Sequence, residues 1–238
     1  LPAISVVRSS VIDAEHGEAN LAYSHRTLDA AAALGARVVS VGLHQALTEA
    51  QKRQLWFWTV DGYRDPDDRQ TWELAVARLR ELGKHAEDNG LILSLEMYED
   101  TYLGTADSAV ALVTAIDHPA VGLNPDIGNL VRLHRPIESW QSMIEKTAPY
   151  ANYWHVKNYQ RDEDVARDMY VAMPAPLESG VISYRKAFEI AIANGFQGVI
   201  CCEHYGGDGL SVSASNQRYL REQILPRTPD YIPGKSRV

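Results

Sequence analysis

Four short apolar runs of this chain each end in an ionisable residue: LSL in Glu96, LNP in Asp126, YW in His155 and CC in Glu203. The gaps between these residues are 30, 29 and 48 positions. The first two gaps match one strand–helix unit, and the third fits two short units. Carboxyl ends of parallel strands gather at one face of an α/β sheet or barrel, where ligand-binding groups lie. We therefore expect the four side chains to converge.

Three carboxylates and one imidazole at one face would repel one another unless a cation neutralised them. Oxygen-rich ligation with a single histidine suits a hard divalent ion, whereas a structural zinc site prefers Cys and His. The pattern therefore predicts one divalent metal ion, with Mn²⁺ as the first expectation and Mg²⁺, Co²⁺ or Zn²⁺ as alternatives. Cys202 has the wrong parity to be a ligand, and Cys201 lies deeper in its strand than Glu203.

Strand parity extends this prediction to neighbouring positions. Residues two positions from the four ionisable groups face the same side, and they include Tyr98, Asn124, Tyr153, Lys157 and Cys201. Lys157 would stand above His155 at the mouth, where it could bind a substrate oxygen or pair with a ligand carboxylate. His44, Tyr98 and His204 are further candidates for substrate contact. His204 is a candidate because it follows Glu203 in the glycine-rich turn EHYGGDG.

The elements that would position these groups are strands and helices in alternation. β-Branched runs alternate with amphipathic stretches along the chain, which is typical of βα units around a parallel sheet. The pattern predicts seven strands, at 4–7, 38–43, 91–95, 121–124, 153–156, 170–173 and 199–202, the sixth being weak. The intervening helices are predicted at 20–34, 71–89, 106–116, 137–146, 183–193 and 213–225. No linker interrupts the pattern, so residues 1–238 are interpreted as a single domain.

Three segments depart from this alternation. The connection 44–68 is long and rich in aromatic residues, which favours a lid or an oligomer contact surface. Residues 160–176 form a second long insertion, and residues 226–238, with three prolines, look extended. We expect a homo-oligomer, with the aromatic connection at its interface.

Composition narrows the class of protein. The 238 residues are 45% apolar and 23% charged, as in globular proteins. The formal net charge of −8 opposes nucleic-acid binding, which uses a basic surface. No window approaches the ~18 consecutive apolar residues of a membrane span, and the first residues lack the pattern of a signal peptide. The two adjacent cysteines exclude a disulfide framework. We expect a cytoplasmic protein that binds neither nucleic acid nor membrane.

The stretches LSLEMYEDT, VGLNPDIGN, YWHVKN, LESGVI and GFQGVICCEHYGG resemble the xylose-isomerase-like TIM barrels, which include sugar isomerases and epimerases, inosose dehydratases and endonuclease IV. The resemblance implies an α/β fold of the (β/α)8 type. Seven predicted strands against eight imply that the first strand is missing from this chain or is supplied in another way. The resemblance further implies that Glu96, Asp126, His155 and Glu203 bind one metal ion. It also implies that Glu96 and Glu203 are the catalytic residues that move protons on opposite sides of the substrate.

Two positions depart from the family pattern. Lys157 falls in the family's His-x-Lys-Asp run, but Asn158 replaces the aspartate. Many epimerases carry a histidine three residues after the metal-binding aspartate, and here that position is Asn129. The resemblance therefore makes Lys157 and Asn129 substrate-binding candidates.

The predicted reaction is isomerisation or epimerisation of a small sugar or keto-sugar. A cation at the mouth can polarise a carbonyl and stabilise the enediolate formed when the adjacent proton leaves. The alternative is a metal-dependent lyase, in which the same first step expels a leaving group β to the carbonyl. A looser similarity of LEMYEDTYLGT and EHYGGDG to the catalytic subunits of C-glycoside deglycosidases favours that alternative and implies a second subunit.

Three rival functions fit the sequence less well. An endonuclease IV-like phosphodiesterase needs further strand-end histidines and a basic groove. A dinucleotide-dependent oxidoreductase needs a GxGxxG fingerprint, which does not occur. A non-catalytic scaffolding barrel would have no need of four ligand residues.

Overall fold

Strands and helices alternate through residues 1–225, the part of the chain that the computed structural model describes. Six strands run parallel: β1 (Ala3–Val6), β2 (Val38–Val41), β3 (Ile92–Glu96), β4 (Val121–Asn124), β5 (Tyr153–Val156) and β8 (Val199–Cys202). Two more, β6 (Asn158–Asp164) and β7 (Met169–Ala175), are antiparallel. The helices are α1 (Gly17–Ala33), α2 (Glu49–Lys52), α3 (Arg69–Asp88), α4 (Ala106–Ile116), α5 (Gly128–Val131), α6 (Trp140–Thr147), α7 (Tyr184–Ala193) and α8 (Gly209–Tyr219).

The parallel strands follow one another around the predicted TIM barrel. β1, β2, β3 and β4 pair in chain order, a bridge between Leu123 and Ala151 connects β4 to the start of β5, and β5 pairs with β8. Within residues 1–225 no strand pairs with the outer edge of β1 or of β8. The barrel is therefore open along one seam in the described part of the chain.

The prediction of a barrel strand at 170–173 was wrong. These residues lie in β7, which pairs with β6 as a hairpin in the register Asn158–Ala175 to Asp164–Met169. Asp168 adopts a left-handed conformation at the reversal, with φ of 53°. Met169, Val171 and Met173 are more than half exposed, so this apolar run does not line a core. The long gap between His155 and Glu203 thus contains a hairpin and α7, and β5 meets β8 directly.

Local sequence signals explain where the principal helices begin and end. Asp68 caps α3 by accepting a hydrogen bond from the Thr71 amide, and Thr105 and Ser108 form a reciprocal capping box at α4. Gly90 and Gly195, with φ of 66° and 77°, follow α3 and α7 in the left-handed region that glycine tolerates best. These glycines end the two helices and so determine where β3 and β8 begin.

The barrel interior changes from apolar to polar along the strands. Val38, Ile92, Tyr153 and Val199 form a small cluster at the amino-terminal end of the strands. A much larger core lies between the outer strand faces and the helices. Every residue of β2, β3, β4 and β5 is buried. Polar side chains at the carboxyl ends are therefore held on a rigid frame.

The aromatic connection 44–68 contains α2 and a short 3₁₀ helix, Phe57–Thr59, and it packs onto the carboxyl-terminal face of the barrel. The predicted extended tail, 226–238, lies outside the described residues. Within residues 1–225, every helix is too short or too polar to traverse a bilayer.

Candidate metal centre

The four predicted ligands converge at the carboxyl ends of four strands. Glu96 is the last residue of β3 and His155 the third residue of β5, whereas Asp126 and Glu203 stand just beyond β4 and β8. One ligand atom from each residue lies within 4.8 Å of the others. Glu96, Asp126 and His155 are buried, and the Glu203 side chain is 29% exposed.

The imidazole of His155 lies between the three carboxylates. Its Nδ1 atom is 3.4 Å from Glu96 Oε2, 3.7 Å from Asp126 Oδ2 and 3.4 Å from Glu203 Oε2. Ligand atoms about 2.1 Å from a common ion lie roughly 3–3.5 Å from one another. The separations therefore fit a set of ligands around one cation.

The hydrogen bonding of the cluster supports the same conclusion. Glu96 Oε2, Asp126 Oδ1 and His155 Nδ1 are buried and have no hydrogen-bond partner within residues 1–225. A buried polar atom without a partner costs free energy, so such atoms are rare unless an ion or water satisfies them. Because three of them come from the same cluster, these residues could hold a divalent metal ion.

Lys157 supplies the positive charge already present in the cluster. Its Nζ atom lies 2.7 Å from Asp126 Oδ2 and 2.8 Å from Glu203 Oε2, and its side chain is 2% exposed. Burial lowers the pKa of this ammonium, but the carboxylates of Asp126 and Glu203 outweigh burial and raise the pKa well above its usual value. The structure thus places Lys157 against two of the four candidate ligands, one of the two roles predicted for it.

Burial and neighbouring charges also shift the pKa values of the other groups in the cluster. Burial raises the pKa of Asp126, against the opposing charge of Lys157. Burial would also raise the pKa of Glu203, but Lys157 and the neighbouring His155 lower it below its ordinary value. Burial lowers the pKa of His155, yet the surrounding carboxylates raise it far more. Without a metal ion, His155 is therefore in its positively charged imidazolium form.

A second layer of side chains orients the candidate ligands. His155 Nε2 lies 3.1 Å from the Tyr153 hydroxyl and 3.4 Å from Ser5 Oγ, and the His155 amide donates to Asn124 Oδ1 at 2.7 Å. These contacts turn Nδ1 toward the carboxylates. Such outer partners commonly fix the orientation of a metal-binding histidine.

Asn129 contacts the candidate ligands directly. Its Nδ2 atom donates to Met97 O at 2.9 Å, to Asp126 Oδ2 at 3.2 Å and to Glu96 Oε1 at 3.3 Å. Its side chain is buried. Its predicted substrate contact stays a prediction, but the structure gives it a position from which it orients two carboxylates.

His44 and Tyr98 lie beside Glu96. His44 Nε2 is 3.6 Å from Glu96 Oε1, and the His44 and Tyr98 rings are 3.7 Å apart between centroids. Burial lowers the pKa of His44, which keeps it neutral, whereas burial raises the pKa of Tyr98 to about 12. Burial also opposes ionisation of Glu96, but the neighbouring His44 and the charge of His155 lower its pKa. His204, by contrast, makes no hydrogen bond or ion pair with the cluster within residues 1–225.

A polar pocket opens next to Tyr98. It has a volume of about 240 Å³, and its lining includes Arg8, Gln45, Gln51, Tyr98 and Arg135. Arg8 donates to the Tyr98 hydroxyl at 3.0 Å and to the Gln45 carbonyl at 3.1 Å. A pocket lined by such donors and acceptors suits a small molecule with several hydroxyl or carbonyl groups.

The sequence pattern did not indicate Arg132, which is fully buried. Its guanidinium contacts both carboxylate oxygens of Glu99 at 3.1 Å and lies 4.5 Å from the Trp58 ring centroid and 5.4 Å from that of Tyr205. Trp58 comes from the aromatic connection 44–68 and is itself buried. The three-residue spacing of Asp126, Asn129 and Arg132 was the available signal, because it places them on one side of a helical turn.

The comparisons with known proteins agree with this architecture. Residues 4–224 match the profile of the xylose isomerase-like TIM barrel family. A xylose isomerase-like TIM barrel protein from Mycobacterium smegmatis, solved in complex with magnesium, is 52% identical over 92% of this chain and 71% of that one, with a TM-score of 0.87. No curated protein matches the sequence.

Two more distant structures share the fold. The IOLI protein with a bound zinc atom is 14% identical over 94% of this chain and 77% of that one, with a TM-score of 0.67. A D-psicose 3-epimerase from Clostridium cellulolyticum H10, solved with D-tagatose, is 17% identical over 92% of this chain and 76% of that one, with a TM-score of 0.62. Because the family profile covers nearly all of the described residues, the chain belongs to the xylose isomerase-like TIM barrel family.

Proposed function

We propose that this protein is a divalent-metal-dependent sugar isomerase or epimerase that moves a proton on a carbon next to a carbonyl. The observation that carries the proposal is the convergence of three unsatisfied, buried ligand atoms from Glu96, Asp126 and His155. Family membership and the shared fold of a D-psicose 3-epimerase support it.

The two glutamates suit the proton-transfer roles. Glu96 and Glu203 come from β3 and the end of β8, and β4 and β5 lie between these strands. They therefore approach the substrate space from different sides. Both have lowered pKa values, so both are ionised at neutral pH and able to accept a proton. In the proposed reaction one carboxylate removes the proton, and the other, after taking up a proton from solvent, delivers that proton to carbon.

The remaining residues bind and orient. A divalent ion held by Glu96, Asp126, His155 and Glu203 would polarise the substrate carbonyl and stabilise the negative charge that develops on its oxygen. The positive charge of Lys157 reduces the electrostatic repulsion between the carboxylates of Asp126 and Glu203. Tyr98 and the polar pocket beside it would bind the hydroxyl groups of the rest of the sugar.

The choice of metal follows from the donor set. Three carboxylates and one imidazole favour Mn²⁺, with Mg²⁺, Co²⁺ and Zn²⁺ as alternatives. The similar proteins were solved with magnesium in one case and zinc in another. Metal-free protein to which each ion is added back in turn would rank the four by restored turnover.

The test is solvent exchange in D₂O on a panel of ketoses and 3-oxo-glycosides, with EDTA-treated and metal-reloaded protein. We expect metal-dependent deuterium incorporation next to the carbonyl, and a loss of at least about 100-fold in Glu96→Gln and Glu203→Gln. Glu189→Gln, an exposed glutamate paired with Lys186, is the control. Wild-type exchange in both variants with metal bound would refute the assignment. Elimination products from a 3-oxo-glycoside would identify a lyase that uses the same first step.

A further inference from the structure

Two outer helices carry matching pairs of side chains. His25 and Asp29 stand one turn apart on α1, and Glu81 and His85 stand one turn apart on α3. The spacing of four places each pair on one helix face. The two helices pack side by side, and the four side chains meet between them in the order Glu81, His25, His85, Asp29.

The contacts along this row fix which nitrogen of each histidine carries hydrogen. His25 Nε2 lies 2.8 Å from Glu81 Oε1, and His85 Nε2 lies 2.8 Å from Asp29 Oδ1. Because a carboxylate accepts, each Nε2 must donate. The Nδ1 atoms of the two rings face each other at 2.6 Å. Two nitrogen lone pairs at that distance repel unless a cation lies between them, either a proton at the present separation or a metal ion after the rings move apart.

The geometry points to a binding site for a borderline transition-metal ion of the Zn²⁺, Ni²⁺ or Cu²⁺ class, with His25 Nδ1 and His85 Nδ1 as its protein ligands. Imidazole nitrogen is a preferred donor for these ions. A metal-binding histidine typically donates its other ring N–H to a carboxylate, and both histidines here already do so. Asp29 and Glu81 also supply two negative charges that favour a divalent ion.

The two rings must rearrange before they can accept the ion. Zn–N distances of about 2.0–2.1 Å in a tetrahedral site place the two nitrogens about 3.3 Å apart. The rings must therefore separate by less than about 1 Å. Each ring must also turn, because its centroid lies 4.9 Å from that of its neighbour and the two Nδ1 atoms now face each other nearly head-on. Both side chains are about one quarter exposed, at 27% and 25%, so water can reach the ion and complete its coordination.

This site is separate from the Glu96 cluster in position and in chemistry. It lies on the helical outside of the barrel, whereas the cluster lies at the carboxyl ends of the strands. Its donors are two nitrogens, whereas the cluster offers three carboxylates and one imidazole. Mg²⁺ should therefore fill the cluster and leave the histidine pair unoccupied. Because its ligands come from both α1 and α3, the ion would also tie these helices together.

The experiment is calorimetric titration of Zn²⁺ into EDTA-treated protein in the presence of excess Mg²⁺. It compares the wild type with His25→Ala, His85→Ala and Asp29→Asn, and each again in a His155→Ala background that weakens the cluster. His118→Ala is the control, because His118 is a partly exposed histidine with its own carboxylate neighbour, Glu87. Circular dichroism confirms that each variant is folded, and thermal unfolding measures whether Zn²⁺ stabilises it.

In the His155→Ala background, where the Glu96 cluster competes less for Zn²⁺, we expect one Zn²⁺ equivalent that excess Mg²⁺ does not displace and that His118→Ala leaves unchanged. Loss of either ligand histidine should weaken this binding by more than about 100-fold, and Asp29→Asn by about tenfold. Zn²⁺ should raise the unfolding temperature of His155→Ala but not of the His25→Ala/His155→Ala double variant. Equal Zn²⁺ affinity and stoichiometry in folded wild type, His25→Ala and His85→Ala would overturn the proposal and leave a shared proton between the two rings.

Discussion

Asn129→Ala tests whether this side chain orients the metal ligands or binds the substrate. The amide nitrogen has two hydrogens but three acceptors, at 2.9 Å on Met97, 3.2 Å on Asp126 and 3.3 Å on Glu96. The Met97 carbonyl, at the shortest distance, accepts a hydrogen bond from one of the two hydrogens. The two carboxylates share the other, so the variant removes roughly one charge-assisted hydrogen bond from the pair.

The expected loss of metal affinity follows from that count. Hydrogen bonds to charged groups contribute about 1.5–3 kcal/mol, and the long distances to the carboxylates favour the lower value. A loss of about 1.5 kcal/mol corresponds to roughly a tenfold higher dissociation constant. This value lies at the low end of the 10- to 100-fold effects typical of partners that orient metal ligands.

The assay is calorimetric titration of Mg²⁺ and Mn²⁺ into chelator-treated protein. Asn216→Ala is the matched control, because Asn216 is also a buried asparagine but accepts a hydrogen bond from the Leu177 amide, away from the cluster. The control should lose stability and keep its metal affinity. An unchanged metal dissociation constant in Asn129→Ala, with a raised KM for substrate, would refute the reasoning and support direct substrate contact.

Three further predictions concern protonation and buried charge. His155 has a raised pKa without metal and must be neutral to coordinate, so metal binding at pH 7 should release about one proton and strengthen as pH rises; titrations in buffers of different ionisation enthalpy measure this release. Glu99→Gln leaves the Arg132 charge buried without its carboxylate and should cost about 3–5 kcal/mol in urea unfolding, whereas Glu99→Gln/Arg132→Met should cost less. Burial raises the pKa of Asp65 from 3.8 to about 6, against a hydrogen bond from the Tyr102 amide, so its ionisation costs folding free energy that builds up between about pH 4 and pH 6 and is complete above pH 6. Asp65→Asn should therefore gain about 1–3 kcal/mol at pH 8 and less at pH 5; an equal gain at both pH values would contradict this cause.

The sequence was sufficient to predict the centre of the site because strand geometry leaves little freedom. Residues two apart share a face of a strand, and parallel strands end at a common edge. Glu96, Asp126, His155 and Glu203 are therefore brought together by the strands alone. The same parity argument placed Lys157 next to them, although it left open whether Lys157 faces substrate or carboxylates.

Features that depend on packing between distant segments could not be predicted. The run at 170–173 has the composition of a barrel strand, and only its pairing with β6 shows that it belongs to a hairpin. Arg132 and Glu99 are 33 positions apart, and nothing in either local pattern indicates that they are buried against each other. His25 and His85 show helical spacing to their own carboxylates, but their contact requires the packing of α1 on α3.

The charges of the site explain why a lysine is compatible with a metal centre. Ionised Glu96, Asp126 and Glu203 carry three negative charges, and Lys157 offsets one of them at 2.7–2.8 Å. A neutral, coordinating His155 adds none, so two negative charges remain for a divalent ion to balance. Without the ion, the protein reduces this imbalance by holding a proton on His155 and by raising the pKa of Asp126. Loss of metal and uptake of protons are thus alternative ways to neutralise the same carboxylates, which is why the affinity of the site for metal should depend on pH.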